Sequence, residues 1–263
     1  MKNMKQWDFT KIPAEIRSLI GNLPYRVDQV GCAASKVIFF ANNLVLKVDA
    51  INEESNTEIM MTKWLDGKLP VPKVIASSQA EGYNYLLSEK LGGKMAIDEF
   101  YLKRPEELAR LLAQGLKRLW KVDITDCPYK NDIANKLRLA KDLIQTGQVD
   151  VNDAEPGTFG IWGFSDPQDL YEYLDANRPE EELVFSHGDY CLPNVFFSKN
   201  EVSGFLDLGR SGIADKWQDI ALCVRSLKHN LKTDAYRERF FQELGIAPDE
   251  EKIRYFVLLD ELF

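Results

Sequence analysis

Cysteine and histidine are scarce in this sequence, and their spacing argues against a structural zinc site. The 263 residues include four cysteines and two histidines. No two cysteines form a CxxC pair, and no histidine lies at ligand spacing from a cysteine. A chain of this length can build a core without disulfides. We therefore expect the cysteines to be free, buried thiols.

Long apolar runs and an excess of positive charge are also missing. No segment approaches the roughly 20 apolar residues that a helix needs to cross a bilayer, and the opening MKNMKQWDFTKIP lacks the apolar stretch of a secretory signal. We therefore expect a cytoplasmic protein with no membrane partner. The net charge of −8 argues against nucleic acid, whose phosphates require clustered lysine and arginine. It favours a cationic small molecule instead. The sequence leaves the oligomeric state open.

The pattern of apolar residues changes near residue 90. Before it, VIFF and NLVLKV, and then KVIAS and YNYLLSE, are separated by short polar turns and predict two hairpins. A helix is predicted over Thr57–Leu65, with Asn56 as its cap. The pattern predicts a β-rich N-lobe at residues 1–90 and a mostly helical C-lobe at residues 91–263. The predicted hinge lies near residues 88–91.

Helical periodicity dominates the second part. PEELARLLAQGLKRLW repeats leucine on one face behind a first-turn proline, and DPQDLYEYL begins with an aspartate cap and a proline. Three helices are predicted after residue 212, in DKWQDIALCVRSL, TDAYRERFFQELG and DEEKIRYFVLLDELF. The segment 145–165 has no clear period and is long for a plain connection, which hints at function or mobility.

Short apolar runs interrupt the helices at residues 184–212, VFSHGDYCLPNVFFSKNEVSGFLDLGRSG. His187 and Asp189 are followed after four residues by Asn194, and Asp207 comes thirteen residues later in a DLG triplet. This spacing resembles the H-R-D-x-x-x-x-N and D-F-G motifs of protein kinases. A glycine replaces the arginine and a leucine replaces the phenylalanine.

The residue types at these positions suit phosphoryl transfer. Such a reaction moves a highly charged group, which the protein neutralises mostly with Mg²⁺. Mg²⁺ prefers hard oxygen ligands, so Asn194 and Asp207 are the candidate ligands, brought together by a predicted hairpin that turns at residues 199–200. Asp189 is the candidate catalytic residue, placed to orient the acceptor hydroxyl and take its proton. His187 is expected to orient its neighbours or to lie in the core.

A kinase also needs residues that hold the nucleotide. Lys47, on the strand NLVLKV, is the candidate ligand of the phosphates, and Glu58 is the carboxylate expected to hold it. The candidate phosphate loop VGCAASKV includes Ser35 and lacks G-x-G-x-x-G, although its small residues would let backbone N–H groups approach phosphate oxygens. Backbone groups of Ser88 and Lys90 are candidates for contact with adenine.

The segments HGDYCLPN, SGFLDLGRSGIADKWQDIALCVRSL and LLDELF, together with WLDGKLPVPKV and DITDCPY, resemble the aminoglycoside 3′-phosphotransferases. The resemblance implies an α+β, protein-kinase-like fold with a β-rich N-lobe and a mostly helical C-lobe that contains an embedded catalytic hairpin. It also implies ATP- and Mg²⁺-dependent phosphorylation of a sugar hydroxyl on kanamycin- or neomycin-like antibiotics. In that family Asp189 would be catalytic, Asn194 and Asp207 would bind magnesium, and Lys47 and Glu58 would position the phosphates.

The family holds its cationic drug in an acidic pocket, and the resemblance places this pocket at the last residues of the sequence. Several carboxylates in a partly desolvated cleft are suited to bind protonated amines. Whether the arginine of the set touches drug, phosphate or the catalytic aspartate is left open. The substrate-binding residues that the resemblance implies, with the carboxylate of the last one included, are Asp153, Glu155, Arg210, Asp260, Glu261 and Phe263.

Two departures from the family pattern leave the nucleotide open between ATP and GTP. Relatives often carry a serine near the position of Ala33, where the nearest serine here is Ser35, and Val45 stands at the position of an aromatic residue on the lysine strand. Two other hypotheses compete: a related kinase of choline, macrolides or fructosamine, and a non-catalytic pseudokinase. The acidic DELF segment argues against the first, and the intact set of catalytic residues argues against the second.

Overall fold

The computed structural model describes residues 11–28 and 35–263. A five-stranded antiparallel sheet and one helix form most of the N-lobe, the part up to residue 90. Their bounds are α1 (Ala14–Ile20), β1 (Tyr25–Val27), β2 (Lys36–Phe40), β3 (Leu44–Ala50), β4 (Val74–Ala80) and β5 (Tyr83–Glu89). The order of strands in the sheet is β1-β2-β3-β5-β4. Both predicted hairpins are confirmed, β2 with β3 and β4 with β5. The sheet and α1 have a small apolar core of their own.

Helix α2 (Glu53–Trp64) begins four residues earlier than the sequence predicts. Its cap is Asn52, whose side chain accepts from the Ser55 N–H at 2.7 Å while the Ser55 hydroxyl accepts from the Asn52 N–H at 3.1 Å. This reciprocal cap satisfies two backbone donors at the helix start. The predicted cap, Asn56, is wrong because its side chain instead accepts from Asn84 of the sheet.

The C-lobe, from residue 91 onward, is mostly helical, and the predicted α+β class is confirmed. The helices are α3 (Glu99–Leu102), α4 (Pro105–Leu119), α5 (Ile133–Gln145), α6 (Pro167–Ala176), α7 (Lys216–Leu231), α8 (Arg237–Leu244) and α9 (Glu250–Asp260). Proline occupies the first turn of α4 and an aspartate caps α6, as the sequence patterns predict. Aspartates also cap α7 and α9.

Two small antiparallel sheets lie within this helical lobe. One joins β6 (Lys94–Met95) to the hairpin of β8 (Val195–Ser198) and β9 (Glu201–Phe205). The other pairs β7 (Leu183–Ser186) with β10 (Gly212–Asp215). The hairpin turns where predicted, at Lys199 and Asn200, which adopt positive φ angles of 51° and 62°. The hairpin therefore brings its two ends, next to Asn194 and Asp207, close together.

The apolar core does not divide where the sequence changes character. Met61, Leu65 and Leu69, on and after α2, are buried in the large cluster of the C-lobe rather than in the core of the sheet. Helix α2 is thus attached to the C-lobe although it lies before the predicted hinge at residues 88–91. In the described ranges, no helix combines the length and the apolar character needed to span a membrane.

The described cysteines are free, as expected, but they are not uniformly buried. Cys223 is buried in α7, whereas Cys127 and Cys191 are half-buried. The expectation of buried thiols is therefore correct for Cys223 and wrong for the other two, which lie in the loops before α5 and β8. Cys32 lies outside the described residues.

Candidate active site

The turn at residues 187–189, named the catalytic turn here because it holds the candidate catalytic residue Asp189, follows β7 and depends on a glycine. Gly188 adopts a φ of 82°, and a Cβ atom placed on it would lie 1.8 Å from the carbonyl oxygen of Arg210. Only glycine accepts both this conformation and this close approach. The structure thus explains why glycine stands where protein kinases carry arginine: the backbone after Asp207 packs directly on the backbone before Asp189.

A buried carboxylate fixes the same turn from below. Asp219 of α7 is fully buried, and it accepts the N–H groups of His187 at 2.7 Å and of Gly188 at 2.9 Å. Burial raises the pKa of Asp219, and the hydrogen bonds from the turn oppose that rise. Sequence reasoning missed this residue, although an aspartate directly before the apolar stretch IALCV is a visible signal.

His187 lies in the core, in keeping with the expected orienting role. Its side chain is fully buried against the rings of Tyr190 and Phe205. The imidazole Nδ1 accepts a long hydrogen bond of 3.4 Å from the Asp189 N–H. His187 therefore supports the backbone of the catalytic turn, and its buried ring does not face a substrate.

Asp189 and Asn194 are brought together as predicted. The Asn194 amide nitrogen donates to the Asp189 carboxylate at 2.8 Å and to its carbonyl oxygen at 3.0 Å. This pairing fixes the orientation of the amide, since the nitrogen faces Asp189 and the oxygen points elsewhere. The Leu206 N–H donates to the Asn194 carbonyl oxygen at 2.9 Å, so Asn194 lies beside the chain that leads into Asp207.

Asp207 occupies a strained backbone position at the end of the hairpin. Its φ and ψ are 59° and 60°, in the left-handed region that non-glycine residues adopt at a cost. Its carboxylate accepts from the Lys47 ammonium at 2.9 Å. Burial opposes ionisation of Asp207, but the Lys47 charge outweighs it and lowers the pKa.

The oxygen atoms of Asn194 and Asp207 fit a magnesium ion. Both are hard donors, and the orientation of the Asn194 amide leaves its oxygen available. Across the described residues, no group of three or more histidine, cysteine, aspartate and glutamate side chains is arranged to hold a metal. The ion would therefore take few protein ligands, with phosphate and water supplying the others, which is usual for Mg²⁺.

Lys47 forms the predicted pair with Glu58. The Lys47 ammonium donates to the Glu58 carboxylate at 2.7 Å, and Asp49 lies 3.8 Å away. Burial lowers the pKa of Lys47, but the charges of Glu58, Asp207 and Asp49 outweigh it and raise the pKa above the ordinary value. Burial raises the pKa of Glu58, and Lys47 opposes this rise. The lysine is therefore a permanent cation held between both lobes.

The other residues predicted to contact the nucleotide lie in or next to the five-stranded sheet. Ser88 is buried within β5, where it pairs with Val45 of β3 and Val74 of β4. The Lys90 N–H donates to the Asn43 carbonyl oxygen at 2.7 Å, so the donor predicted for adenine is already engaged within the protein. Ser35 is half-buried just before β2. Residues 30–34 of the candidate phosphate loop, with Ala33, lie outside the described residues.

The predicted acidic residues line one pocket. It contains five carboxylates and one arginine, and the arginine, Arg225, was missed by sequence reasoning. The Glu155 N–H donates to the Glu261 carboxylate at 2.8 Å, which attaches the segment 145–165 to the last helical turn. The pocket is lined by Asp150, Asp153, Ala154, Glu155, Arg225, Asp260, Glu261 and Phe263.

Two arginines hold the carboxylates of this pocket. Arg225 forms an ion pair with Asp260 and donates to Glu261 at 3.1 Å. Arg210 contacts Asp260 at 3.4 Å and Glu54 of α2 at 3.3 Å. Arg210 thus links α2 to the acidic pocket. The carboxylates exceed the arginines in number, so the pocket stays negative and suits a cation.

Comparison with known proteins places the whole chain among phosphotransferases. Residues 34–256 match the family model described as the phosphotransferase enzyme family. A protein of Enterococcus faecalis named aminoglycoside 3′-phosphotransferase is 40% identical over 96% of this chain and 98% of its own length. The match to the relative therefore extends over both lobes.

Solved structures share the fold. A crystal structure of aminoglycoside 3′-phosphotransferase of type VIII has a TM-score of 0.79 and 26% identity, covering 94% of this chain and 97% of that one. The Streptomyces rimosus aminoglycoside phosphotransferase APH(3″)-Id, in complex with ADP and streptomycin, has a TM-score of 0.78 and 22% identity. The latter covers 94% of this chain and 95% of its own.

Proposed function

The chain belongs to the phosphotransferase enzyme family, as one of the aminoglycoside 3′-phosphotransferases, and we propose that it transfers the terminal phosphate of ATP to the 3′-hydroxyl of an aminoglycoside antibiotic. One observation supports this assignment most directly. Arg210 follows the DLG triplet and contacts Asp260 at 3.4 Å, so the phosphoryl-transfer residues adjoin a pocket of five carboxylates. A phosphate site next to an anionic pocket suits an acceptor that carries several amines.

The phosphates of the nucleotide would be bound by Lys47. Its ammonium lies between Glu58 and Asp207, and these carboxylates keep it charged and oriented. Asn194 and Asp207 would hold magnesium, which supplies neutralisation of the phosphate charge when it is bound. ATP is the proposed donor, in keeping with the ADP complex of the Streptomyces rimosus enzyme, and GTP is the alternative.

Asp189 would act on the acceptor. Its half-buried carboxylate accepts from Asn194 at 2.8 Å and lies on a turn that Asp219 holds rigid. In this position it can orient the acceptor hydroxyl toward the phosphate and take the hydroxyl proton as transfer proceeds. No covalent enzyme intermediate is required, because positioning and charge neutralisation account for most of this chemistry.

The acidic pocket would bind the amines of the acceptor. Its volume of about 170 Å³ is below the roughly 300–1,000 Å³ of sites that enclose whole drug-sized ligands. It would therefore receive one or two amine-bearing rings while the rest of the antibiotic stays outside. Phosphorylation of the drug would confer resistance, and we place the reaction in the cytoplasm, where nucleoside triphosphates are available.

Turnover with purified protein tests the assignment. We expect ATP-dependent phosphorylation of kanamycin and neomycin that requires Mg²⁺, with ³¹P and ¹H NMR placing the new ester on the 3′-oxygen. Asp189→Asn, which keeps the size of the side chain, is the negative control. Absence of transfer to every aminoglycoside, combined with transfer to choline, a macrolide or fructosamine, would replace this proposal by the alternative small-molecule kinase.

A further inference from the structure

A buried lysine lies beside the acidic pocket and has no role in the proposed phosphoryl transfer. Lys136 of α5 is 4% exposed. Its ammonium lies 5.7 Å from the centroid of the Phe263 ring, and the guanidinium of Arg210 lies 5.4 Å from the same centroid. Both distances are within the range of cation–π attraction. Phe263 therefore has two cations near its ring, one of them removed from solvent.

The charge of Lys136 does not serve the stability of the fold. Burial, with a contribution from Arg210, lowers its pKa from 10.5 to about 8. The unfolded chain therefore binds this proton more tightly, and the free energy of unfolding rises as the pH increases from about 8 toward 10.5. At neutral pH the charged form thus costs stability, as an ammonium removed from water is expected to do. A side chain retained at such a cost invites a functional explanation.

The explanation lies in what Phe263 does. Phe263 lines the acidic pocket together with Asp260 and Glu261, and the residue is 36% exposed. Leu262, next to it, is fully buried and fixes the backbone. The cations Lys136 and Arg210 both approach the Phe263 ring. We propose that Lys136 is a positioning residue that holds the Phe263 ring against the acidic pocket and thereby sets acceptor affinity.

The charged groups around Lys136 are consistent with this role. Arg210, Glu54, Asp219 and Asp260 act on its ammonium from the DLG turn, α2, α7 and α9. In the described part of the chain none of these carboxylates comes within the 4.0 Å of an ion pair with Lys136. Within the described residues, the Lys136 ammonium instead approaches the Phe263 ring, at 5.7 Å from its centroid. The inference rests on the proposed function, because it assigns a role in binding the acceptor.

Two substitutions at residue 136 test the proposal. Lys136→Met keeps an unbranched apolar stem without the charge, and Lys136→Arg keeps the charge. We expect Lys136→Met to raise the KM for kanamycin about fivefold, the equivalent of a cation–π contact at a partly exposed ring, with the KM for ATP and kcat unchanged. Its melting temperature should stay equal or rise, and Lys136→Arg should restore the KM. A lower melting temperature with an unchanged kanamycin KM would show a merely structural residue and overturn the proposal.

A double-mutant cycle with Phe263→Leu tests whether Lys136 acts through the ring. If it does, Lys136→Met should have no further effect on the kanamycin KM in the Phe263→Leu background, whereas independent multiplication of the two effects would refute the proposal. The same cycle is measured by thermal unfolding without any drug. Absence of coupling there shows that the contact is missing, whereas coupling without aminoglycoside turnover shows that only the proposed function has failed.

Discussion

Backbone conformation at two residues decides whether the catalytic turn can form. Gly188 and Asp207 both have positive φ. They lie where the segment before Asp189 meets the segment that contains the DLG triplet. The first requires glycine because Arg210 lies against it, and the second retains an aspartate because its carboxylate must reach Lys47. Strain of this kind is typical of functional sites, where the surrounding structure maintains it.

Gly188→Ala should unfold the turn. We expect a loss of about 2–4 kcal/mol in the free energy of unfolding, because the new methyl group would overlap a backbone carbonyl in addition to the φ penalty. Gly82→Ala is the matched control, since Gly82 has a φ of 80° and a Cβ atom added there would have no atom within 4 Å. It should cost only about 1 kcal/mol. Urea unfolding checks both, and equal losses would contradict the steric explanation.

Asp207→Asn and Asp207→Ala should separate charge from conformation. Both remove the carboxylate that faces Lys47 and the proposed metal, so kcat should fall by about 10²-fold or more in each. Asparagine adopts the left-handed region at a lower cost in free energy than alanine does. We therefore expect the alanine variant to be about 1 kcal/mol less stable than the asparagine variant. Equal stability would mean that the strained backbone relaxes in the variants.

Helix α2 is the element that joins the two halves of the site. It carries Glu58, which holds Lys47, yet its Met61 is buried in the C-lobe core, with Met60 and Trp64 packed against that core. Its first turn is also bound there, because Glu53 accepts from Arg138 at 2.7 Å and from Tyr129 at 2.7 Å. Gly209 of the DLG triplet packs closely against Glu54. These contacts fix α2 to the C-lobe, so the Lys47–Glu58 pair, proposed to bind the phosphates, is already assembled.

Glu53→Gln should weaken this attachment. The pair with Arg138 is half-exposed, so the stability change should stay below about 1 kcal/mol. We expect instead a two- to fivefold rise, roughly, in the KM for ATP, because Glu58 would hold Lys47 less firmly. The control is Glu99→Gln, which breaks an exposed pair between α3 and Lys103, the residue after that helix, and should leave the ATP KM unchanged. Similar kinetics for the two variants would contradict the coupling.

The contacts of Glu53 with Arg138 and Tyr129 should persist at neutral pH. Burial opposes ionisation of Glu53, but hydrogen bonds from Arg138 and Tyr129 outweigh it and lower the pKa below 4.5. A lowered carboxyl pKa stabilises the folded state above the ordinary value, and that contribution is lost as the pH falls through the folded value. The difference in unfolding free energy between wild type and Glu53→Gln should therefore be constant near pH 7 and shrink below about pH 4.

At the scale of the whole molecule, the distribution of charge favours a cationic acceptor. The net charge is −8, and the acidic pocket concentrates five carboxylates at one end of the catalytic turn. Arg210 and Arg225 hold Asp260 and Glu261 in place without cancelling this excess. A polycationic antibiotic would be attracted by the molecule and retained by the pocket, whereas the nucleotide would rely on Lys47 and the metal.

Ionic strength should therefore act on the two substrates differently. Raising NaCl from about 0.05 to about 0.5 M should increase the kanamycin KM about tenfold, since the Debye length falls severalfold, and should change the ATP KM less. Asp153→Asn should flatten this dependence because Asp153 lines the pocket. Glu15→Gln is the matched control, because it removes the same charge from α1 of the N-lobe. It should leave the dependence of the kanamycin KM on NaCl unchanged. An equal slope in both variants would remove Asp153 from the drug site.

Much of the fold and of the catalytic set is encoded locally and was predicted from the sequence. Apolar periodicity and short polar turns predicted the β2–β3, β4–β5 and β8–β9 hairpins and the long helices. The interval between Asp189 and Asn194 brings their side chains together within one turn. The cap of α2 was predicted wrongly because Asn56 has a distant partner, Asn84, that no local rule reveals.

The sequence by itself determined the reaction class, because residues of known spacing on one hairpin suffice to suggest phosphoryl transfer. Only the tertiary structure decided which distant residues complete the site. Lys47 and Asp207 are 160 residues apart, and Glu53 and Arg138 are 85 apart. Asp219, Arg225 and Lys136 likewise acquire their roles only through packing. The physical reason is that a charge becomes effective when its partners and its burial are set, and both depend on how the elements pack.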